Sequence, residues 1–316
     1  MHYIVIDLEW NQAARRNEGN PGLQFEIIEI GAVKLDEDFC VVDEFDRLVC
    51  PVVYKELYYR IRAVVHMSSR MLKEEGVPFH QAVKEFFDWC GEDVSFCTWG
   101  TMDLTEFQKN ISFFGIENPF PFPLYYYDIQ KLYSLSYEDG KVRSALETAV
   151  DTLGLFMGEP FHRAVSDAYY TGLVMGALPM KKLLPMVSVD YFRIPSGKDE
   201  EIHLTFDTYS KFVSRGYKSR EEAMKDKELT SVVCYRCGRV LKPRVNWFSD
   251  NAKHYHSLSF CPKHGWLKGK IRTKRDGADG EVFMVKTLKL IPKERAVELL
   301  AKQEEMKIKR RERRLR

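Results

Sequence analysis

The chain has 316 residues, 45% of them hydrophobic and 30% charged, and a formal net charge of +2, the balance of a soluble globular protein long enough for two domains. No apolar run approaches the ~20 residues that span a bilayer, and the chain opens on strand-like sequence without a signal-peptide pattern. A cytoplasmic protein with no membrane partner is therefore expected.

The first predicted element is a buried strand, His2-Tyr3-Ile4-Val5-Ile6, ending in Asp7-Leu8-Glu9. Side chains on a strand alternate, so Asp7 and Glu9 share one side and Leu8 turns to the other. Two carboxylates in one small volume repel unless a hard divalent cation such as Mg²⁺ or Mn²⁺ lies between them. The bland reading is that Glu9 marks the strand's exit into solvent. Further on, His66-Met67-Ser68-Ser69-Arg70 reads as a helix entrance capped by Ser68 or Ser69. Strand-like Val94-Ser95-Phe96-Cys97-Thr98 precedes Trp99-Gly100-Thr101-Met102-Asp103, and Leu104, Phe107, Ile111 and Phe114 then recur at helical spacing. Asp103 thus sits at a strand-to-helix junction, where Glu106 three residues later also fits a capping box. After the breakers Gly158 and Pro160, a helix is predicted from Arg163 to about Leu178, with His162 before it and Asp167 in an early turn. An isolated histidine there would ordinarily be a surface or capping residue. Cys40, Cys50, Cys90 and Cys97 lie in apolar or strand-like stretches and are expected to be buried free thiols.

Together these segments resemble the DEDDh branch of the DnaQ-like 3′-to-5′ exonucleases over roughly the first 180 residues. The D-x-E motif falls on Asp7 and Glu9, the second aspartate on Asp103, and the closing H-x-x-x-x-D on His162 and Asp167. Phe25 to Leu35 resembles the family's second strand, and Arg143-Ser144-Ala145-Leu146 through Leu155 the helix leading to the last motif. The nearest likeness is to the KapD-like enzymes and relatives that trim structured RNA ends or small RNAs. The sequence departs from the family at Trp10-Asn11, where many members carry a small hydroxyl residue, and at Ser166, where another acid is common. The resemblance implies a ribonuclease-H-like mixed sheet flanked by helices, and two Mg²⁺ or Mn²⁺ ions held about 4 Å apart by Asp7, Glu9, Asp103 and Asp167. It implies His162 as the base, release of nucleoside monophosphates from single-stranded ends, and contacts to the terminal nucleotide from Leu8, Trp10, His66 and Met67. An indole at Trp10 can stack on a base, or can simply pack in the core.

The last part of the chain differs in charge. From Ser231 onward there are 23 lysines and arginines against 9 acids, leaving 25 against 37 for residues 1–230. A basic module of this kind raises the local concentration of a polyanion that an acidic catalytic unit repels. Two knuckles, Cys234-Tyr235-Arg236-Cys237-Gly238 and Cys261-Pro262-Lys263-His264-Gly265, have the spacing that lets four ligands close around one structural Zn²⁺. Redox work by Cys234 and Cys237 is the weaker alternative. A hairpin is predicted next, from Leu267 to Arg275 and from Glu281 to Leu290 around the turn residues 276–280. Lys268, Lys270, Arg272 and Lys274 alternate along its first arm and share a face that could track a phosphate backbone, or be ordinary solvated charge. The tail from Pro292 to Arg316 reads as a solvated helix or a disordered basic arm.

The expected organisation is an α/β exonuclease domain over residues 1–180, a connector over 181–230, a small zinc ribbon over 231–291 and the basic tail over 292–316. The expected function is metal-dependent 3′-to-5′ exonuclease action, on RNA in preference to DNA because of the nearest resemblance. A DNA-trimming enzyme is the alternative within that class, and a catalytically silent nucleic-acid-binding protein acting through its ribbon is the alternative outside it.

Overall fold

The computed structural model describes residues 1–316 except 156, 157, 159, 252, 276–279 and 316. The chain divides into two units, Met1–Phe192 and Arg193–Arg316.

In the first unit, β1 (His2–Asn11), β2 (Glu26–Leu35), β3 (Val41–Leu48), β4 (Val94–Thr98), β5 (Tyr125–Asp128) and β6 (Ser188–Val189) form a sheet in the order β3-β2-β1-β4-β5-β6. The β1–β4 and β4–β5 pairs are parallel and the others antiparallel. The helices are α1 (Tyr59–Arg62), α2 (Ser69–Glu75), α3 (Phe79–Cys90), α4 (Met102–Phe113), α5 (Ile129–Tyr137), α6 (Leu146–Leu153), α7 (Ala164–Ala177) and α8 (Met180–Leu183). The alternation of β1 sorts them into two layers. Ile4, Ile6 and Leu8 pack with Phe79, Val83 and Phe86 of α3 and Leu104, Phe107 and Ile111 of α4. Tyr3 and Val5 pack on the other face with Ile129 and Leu132 of α5, Ala149 and Val150 of α6 and Tyr170 and Val174 of α7. This is the mixed, helix-flanked, ribonuclease-H-like sheet that the sequence leads one to expect.

The second unit contains β7 (Ile202–Thr205), β8 (Tyr209–Val213), α9 (Arg220–Ala223), α10 (Lys227–Thr230), β9 (Val232–Val233), β10 (Val240–Leu241), β11 (Pro243–Asn251), β12 (His254–Cys261), β13 (Gly265–Arg275), β14 (Val282–Leu290) and α11 (Lys293–Leu315). β9 and β10 pair with each other, and the rest form an antiparallel sheet in the order β11-β12-β13-β14-β8-β7. The first knuckle therefore joins the β9–β10 pair and the second joins β12 to β13 in a sheet broader than one hairpin, while the turn 276–279 lies outside the described residues.

Three expectations need correction. Residues 181–230 are not a connector: β8 pairs on β14 and β7 on β8, extending the second sheet through a β8–β14 register between segments about seventy residues apart that no local pattern announces. The tail takes the helical one of its two expected forms, but it is not solvated all round: Ala296 and Leu299 of α11 are buried on Val245, Phe248 and Leu258 of the sheet. Among the four N-terminal cysteines only Cys90 and Cys97 are buried; Cys40 is exposed in the turn before β3 and Cys50 is half-buried.

Candidate active site

The parallel strands β1 and β4 run side by side, Ile6 opposite Thr98, and the chain leaves both at the same edge of the sheet. Crevices beyond the carboxyl ends of parallel strands are where open α/β sheets place their ligands. Here a cavity of about 430 Å³ is lined by Asp7, Leu8, Glu9 and Trp10 from β1, Trp99 to Asp103 from the β4–α4 junction, Gln130, Leu146 and Asp167. The β1 alternation that sends Leu8 into the core is what presents Asp7 and Glu9 on the side facing α7.

Asp167 arrives through a close approach of helix and strand. Gly31 on β2 pairs with Asp7, and a Cβ on it would fall 2.1 Å from the backbone of Ala164 and Val165. Only glycine lets the first turn of α7 sit against the strand pair there. Two residue pairs along, Glu29 lies opposite Glu9 and is fully buried. Its carboxylate accepts from Arg163 Nε at 2.7 Å and from the Ala164 backbone N–H at 3.0 Å, and Arg163 also reaches Asp46 at 3.2 Å. Glu29 and Gly31 thereby seat the start of α7, a role that the sequence reading did not assign although both residues lie in the Phe25-to-Leu35 segment. The signal available was an acidic residue and a glycine in an otherwise apolar buried strand.

His162 precedes this anchored turn with φ +66, and its backbone N–H donates to Asp167 Oδ2 at 3.2 Å. The side chain is half-exposed, with Nε2 3.4 Å from Glu147 Oε1. A ring nitrogen of His162 and carboxylate oxygens of Glu9 and Asp167 all lie within 4.8 Å of one another, although His162 is not among the cavity-lining residues.

The electrostatics are those of carboxylates kept from water and from countercharge. Burial holds Asp7 well above the usual carboxylate range, and the nearby Asp103, Asp167 and Glu9 add to it. Burial, then the charges of Asp167 and Glu29, pushes Glu9 up to about 8. Burial raises Asp103 to about 7, opposed by hydrogen bonds from its own backbone N–H and that of Leu8. Burial raises Asp167 to about 6, opposed by the His162 N–H. Asp167 Oδ1 is buried without a hydrogen-bond partner. Oxygen ligands in this number, strained by mutual repulsion and with an orphaned oxygen among them, fit a hard divalent cation.

The remaining site expectations divide. Asp103 is not an N-cap: Thr101 occupies the cap position of α4 without a side-chain cap bond, and Glu106 pairs with Lys109 at 2.7 Å instead of closing a capping box. Trp10 both packs, its ring 5.6 Å from Phe25, and lines the cavity. Leu8 lines the cavity although the residue is only 3% exposed and packs in the core. Met67, expected to touch the terminal nucleotide, is instead core: it is 4% exposed and packs with Ile28, Leu57, Val65 and Leu72. His66 beside it is exposed at φ +52, and Ser68 caps α2 by accepting from the Met71 N–H. Cavity residues not expected from the sequence are Trp99, Gly100, Thr101, Met102, Gln130 and Leu146. Trp99 Nε1 and Gln130 Nε2 both donate to the Ser144 carbonyl, at 3.2 and 2.9 Å, and so fix the wall that ends at Leu146.

In the second unit the knuckle ligands converge. Cys234 Sγ lies 3.5 Å from His264 Nδ1, Cys237 Sγ 3.7 Å from Cys261 Sγ, and Cys261 Sγ 3.7 Å from His264 Nδ1. Burial raises the Cys234 thiol, and burial alone would raise Cys261 too, but the backbone N–H groups of Lys263 and His264 and the His264 ring bring it down to about 6. Three thiols and an imidazole at tetrahedral-edge spacing suit Zn²⁺. Lys268, Lys270, Arg272 and Lys274 do share one face of β13, opposite buried Leu267 and Ile271. Leu258, cross-strand from Lys268, is packed under α11, so the row shares its face with that helix, and only Arg272 of the four is fully exposed.

The family-model match agrees with the geometry. Residues 4–175 match the family model RNase_T, described as exonuclease. Similar solved structures include the nuclease domain of 3′hExo, a DEDDh family member bound to rAMP, at 20% identity and TM-score 0.49, covering 60% of this chain and 96% of that one. A full-length 3′-exonuclease is 18% identical with TM-score 0.48, covering 57% of this chain and 82% of that one. Pop2p of S. pombe, in a form with Mg²⁺ and Mn²⁺ bound, is 16% identical with TM-score 0.43, covering 55% and 81%. No curated protein matches. With more than half its length covered by the family model and an acidic cavity at the carboxyl edge of its sheet, the chain belongs to the RNase_T exonuclease family.

Proposed function

We propose that the first unit is a 3′-to-5′ exonuclease that removes nucleoside monophosphates from single-stranded nucleic acid, RNA in preference to DNA. The observation that carries this reading is the gathering of Asp7, Glu9, Asp103 and Asp167 on one cavity with no cationic side chain among its lining residues. Asp7, whose carboxyl feels the charges of Asp103, Asp167 and Glu9, would be the ligand common to two divalent ions, with Glu9, Asp103 and Asp167 completing the set. Ions so held supply Lewis-acid stabilisation of charge on the scissile phosphate and its leaving oxygen. His162, beside Glu9 and Asp167 and open to solvent, takes the proton of the attacking water at its free ring nitrogen. Trp10 and Trp99 offer flat apolar walls for the terminal base.

In the second unit, Cys234, Cys237, Cys261 and His264 hold one structural Zn²⁺, and the face of Lys268, Lys270, Arg272 and Lys274 holds the substrate's phosphates. End-labelled single-stranded RNA and DNA of matched sequence, incubated with Mg²⁺ or Mn²⁺, test the whole reading. A 5′-labelled RNA should shorten stepwise with mononucleotide release, faster than DNA. Cleavage at internal positions, or loss of the 5′ nucleotide first, would remove it.

A further inference from the structure

The β13 row is not the only cationic surface of the second unit. From Ser231 to Ser249 the chain carries Arg236, Arg239, Lys242 and Arg244 and no acidic residue. All four are exposed, as is Lys263 in the second knuckle. None of the five makes an ion pair among the described residues. Their placement follows from the fold. Arg236 lies between the two cysteines of the first knuckle and Arg239 just past it, where its carbonyl accepts from the Cys234 N–H. Beyond them Leu241 and Val245 are buried, so Val240, Lys242 and Arg244 take the opposite, solvent side, with Val240 72% exposed. Arg244 lies on β11, the outermost strand of its sheet, whose first residue Pro243 has no N–H to offer another strand. Convergence of the four metal ligands brings Lys263 to the same end of the unit as Arg236.

We propose that this rim of the zinc site, Arg236, Arg239, Lys242, Arg244 and Lys263, is a second phosphate-binding surface that grips the nucleic acid independently of the β13 row. The proposal rests on the nucleic-acid reading above. Unpaired like charges crowded on an exposed edge repel one another, and release of counterions on meeting a polyanion offsets that repulsion. A bound Zn²⁺ would steady this surface, since Arg236 and Lys263 lie between residues that would hold the ion.

The test is equilibrium binding of a fluorescein-labelled single-stranded RNA by the full chain, without added Mg²⁺ or Mn²⁺ and across a salt series. The variant Arg236→Gln/Arg239→Gln/Lys242→Gln/Arg244→Gln should bind at least tenfold more weakly at moderate salt, with a salt slope shallower by about 3. Lys242→Gln/Arg244→Gln, both outside the knuckles, should show about half that change with zinc content and melting unaltered, which separates the effect from misfolding. Hydrolysis of a dinucleotide, too short to leave the cavity, should be unchanged in both. Wild-type affinity and slope in the variants would overturn the proposal while leaving the enzyme reading intact. Loss of polyglutamate binding with RNA binding kept would assign the rim to an acidic protein and overturn it too. Failure of the wild-type chain to bind any nucleic acid would overturn the underlying reading itself.

Discussion

The two units solve opposite electrostatic problems with opposite kinds of sheet. The first has a mixed sheet whose parallel strands end at one edge, and it collects unpaired negative charge in a cavity there. The second pairs its strands antiparallel among the described residues, carries exposed positive charge at Arg236, Arg239, Lys242, Arg244 and Arg272, and confines its thiols to one corner. Parallel strands need crossover helices, so their ends become junctions where several segments can point side chains at one point. Antiparallel strands connected by turns expose rows instead, which suit a long partner better than a small one. Deep charge converges on a reacting atom, and shallow charge follows a chain.

This contrast can be broken from either side. The largest effect is expected at the cavity: Asp7→Asn or Asp167→Asn should lower metal-dependent hydrolysis by about a thousandfold or more while leaving nucleic-acid affinity of the full chain within about twofold. Rapid-quench turnover and fluorescence binding on the same preparations check both halves, and comparable losses in the two would merge the roles separated here. His162→Ala should slow turnover, with less effect on substrate affinity.

Next come the supports. Gly31→Val should destabilise the first unit by about 3 kcal/mol or more, because the strand and the α7 backbone must part. Arg163→Ala should cost about 3 kcal/mol by stranding the buried Glu29 charge. In urea titrations monitored unit by unit, only the transition of the first should move. Conversely, replacing Cys261 by Ser should cost the second unit its zinc and its melting transition while dinucleotide hydrolysis continues.

The smallest effect is a slope with pH. Glu9, Asp103 and Asp167 have folded-state pKa values near 8, 7 and 6, above those of an unfolded chain. A raised carboxylate binds its proton more tightly when folded, so stability is complete below about pH 4 and is lost as pH rises through 6 to 8. Melting temperature without divalent ions should fall across that window, and saturating Mn²⁺ should flatten the fall. A melting temperature that rises over the window would contradict the shared burial of these groups.

How much of this was legible in advance depended on the range of the interaction. Asp7 and Glu9 could be placed on one side of a strand, and Asp103 and Asp167 at the mouths of helices, because periodicity and breakers act within a few residues. The capping reading of Asp103 failed because α4 already begins at Met102, with Thr101 in the cap position, so Asp103 lies inside the first turn. Met67 failed for a related reason: its segment has a polar pattern, and only the packing of α2 over Ile28 turns that side chain inward. The addition of β7 and β8 to the second sheet, and the packing of α11 on it, join residues dozens of positions apart through spacing no motif encodes.

Sequence by itself determined the chemistry of the parts: which stretches alternate, which residues offer hard or soft ligand atoms, and which end of the chain is basic. Tertiary structure alone decided the distances. It took the missing Cβ of Gly31 and the buried Glu29–Arg163 pair to seat α7 against β2 and bring Asp167 to Asp7, and a β8–β14 register to build a sheet around the zinc corner. Side-chain identity and local backbone preference are written residue by residue, whereas close approach is a property of two surfaces and becomes visible only when both are in place.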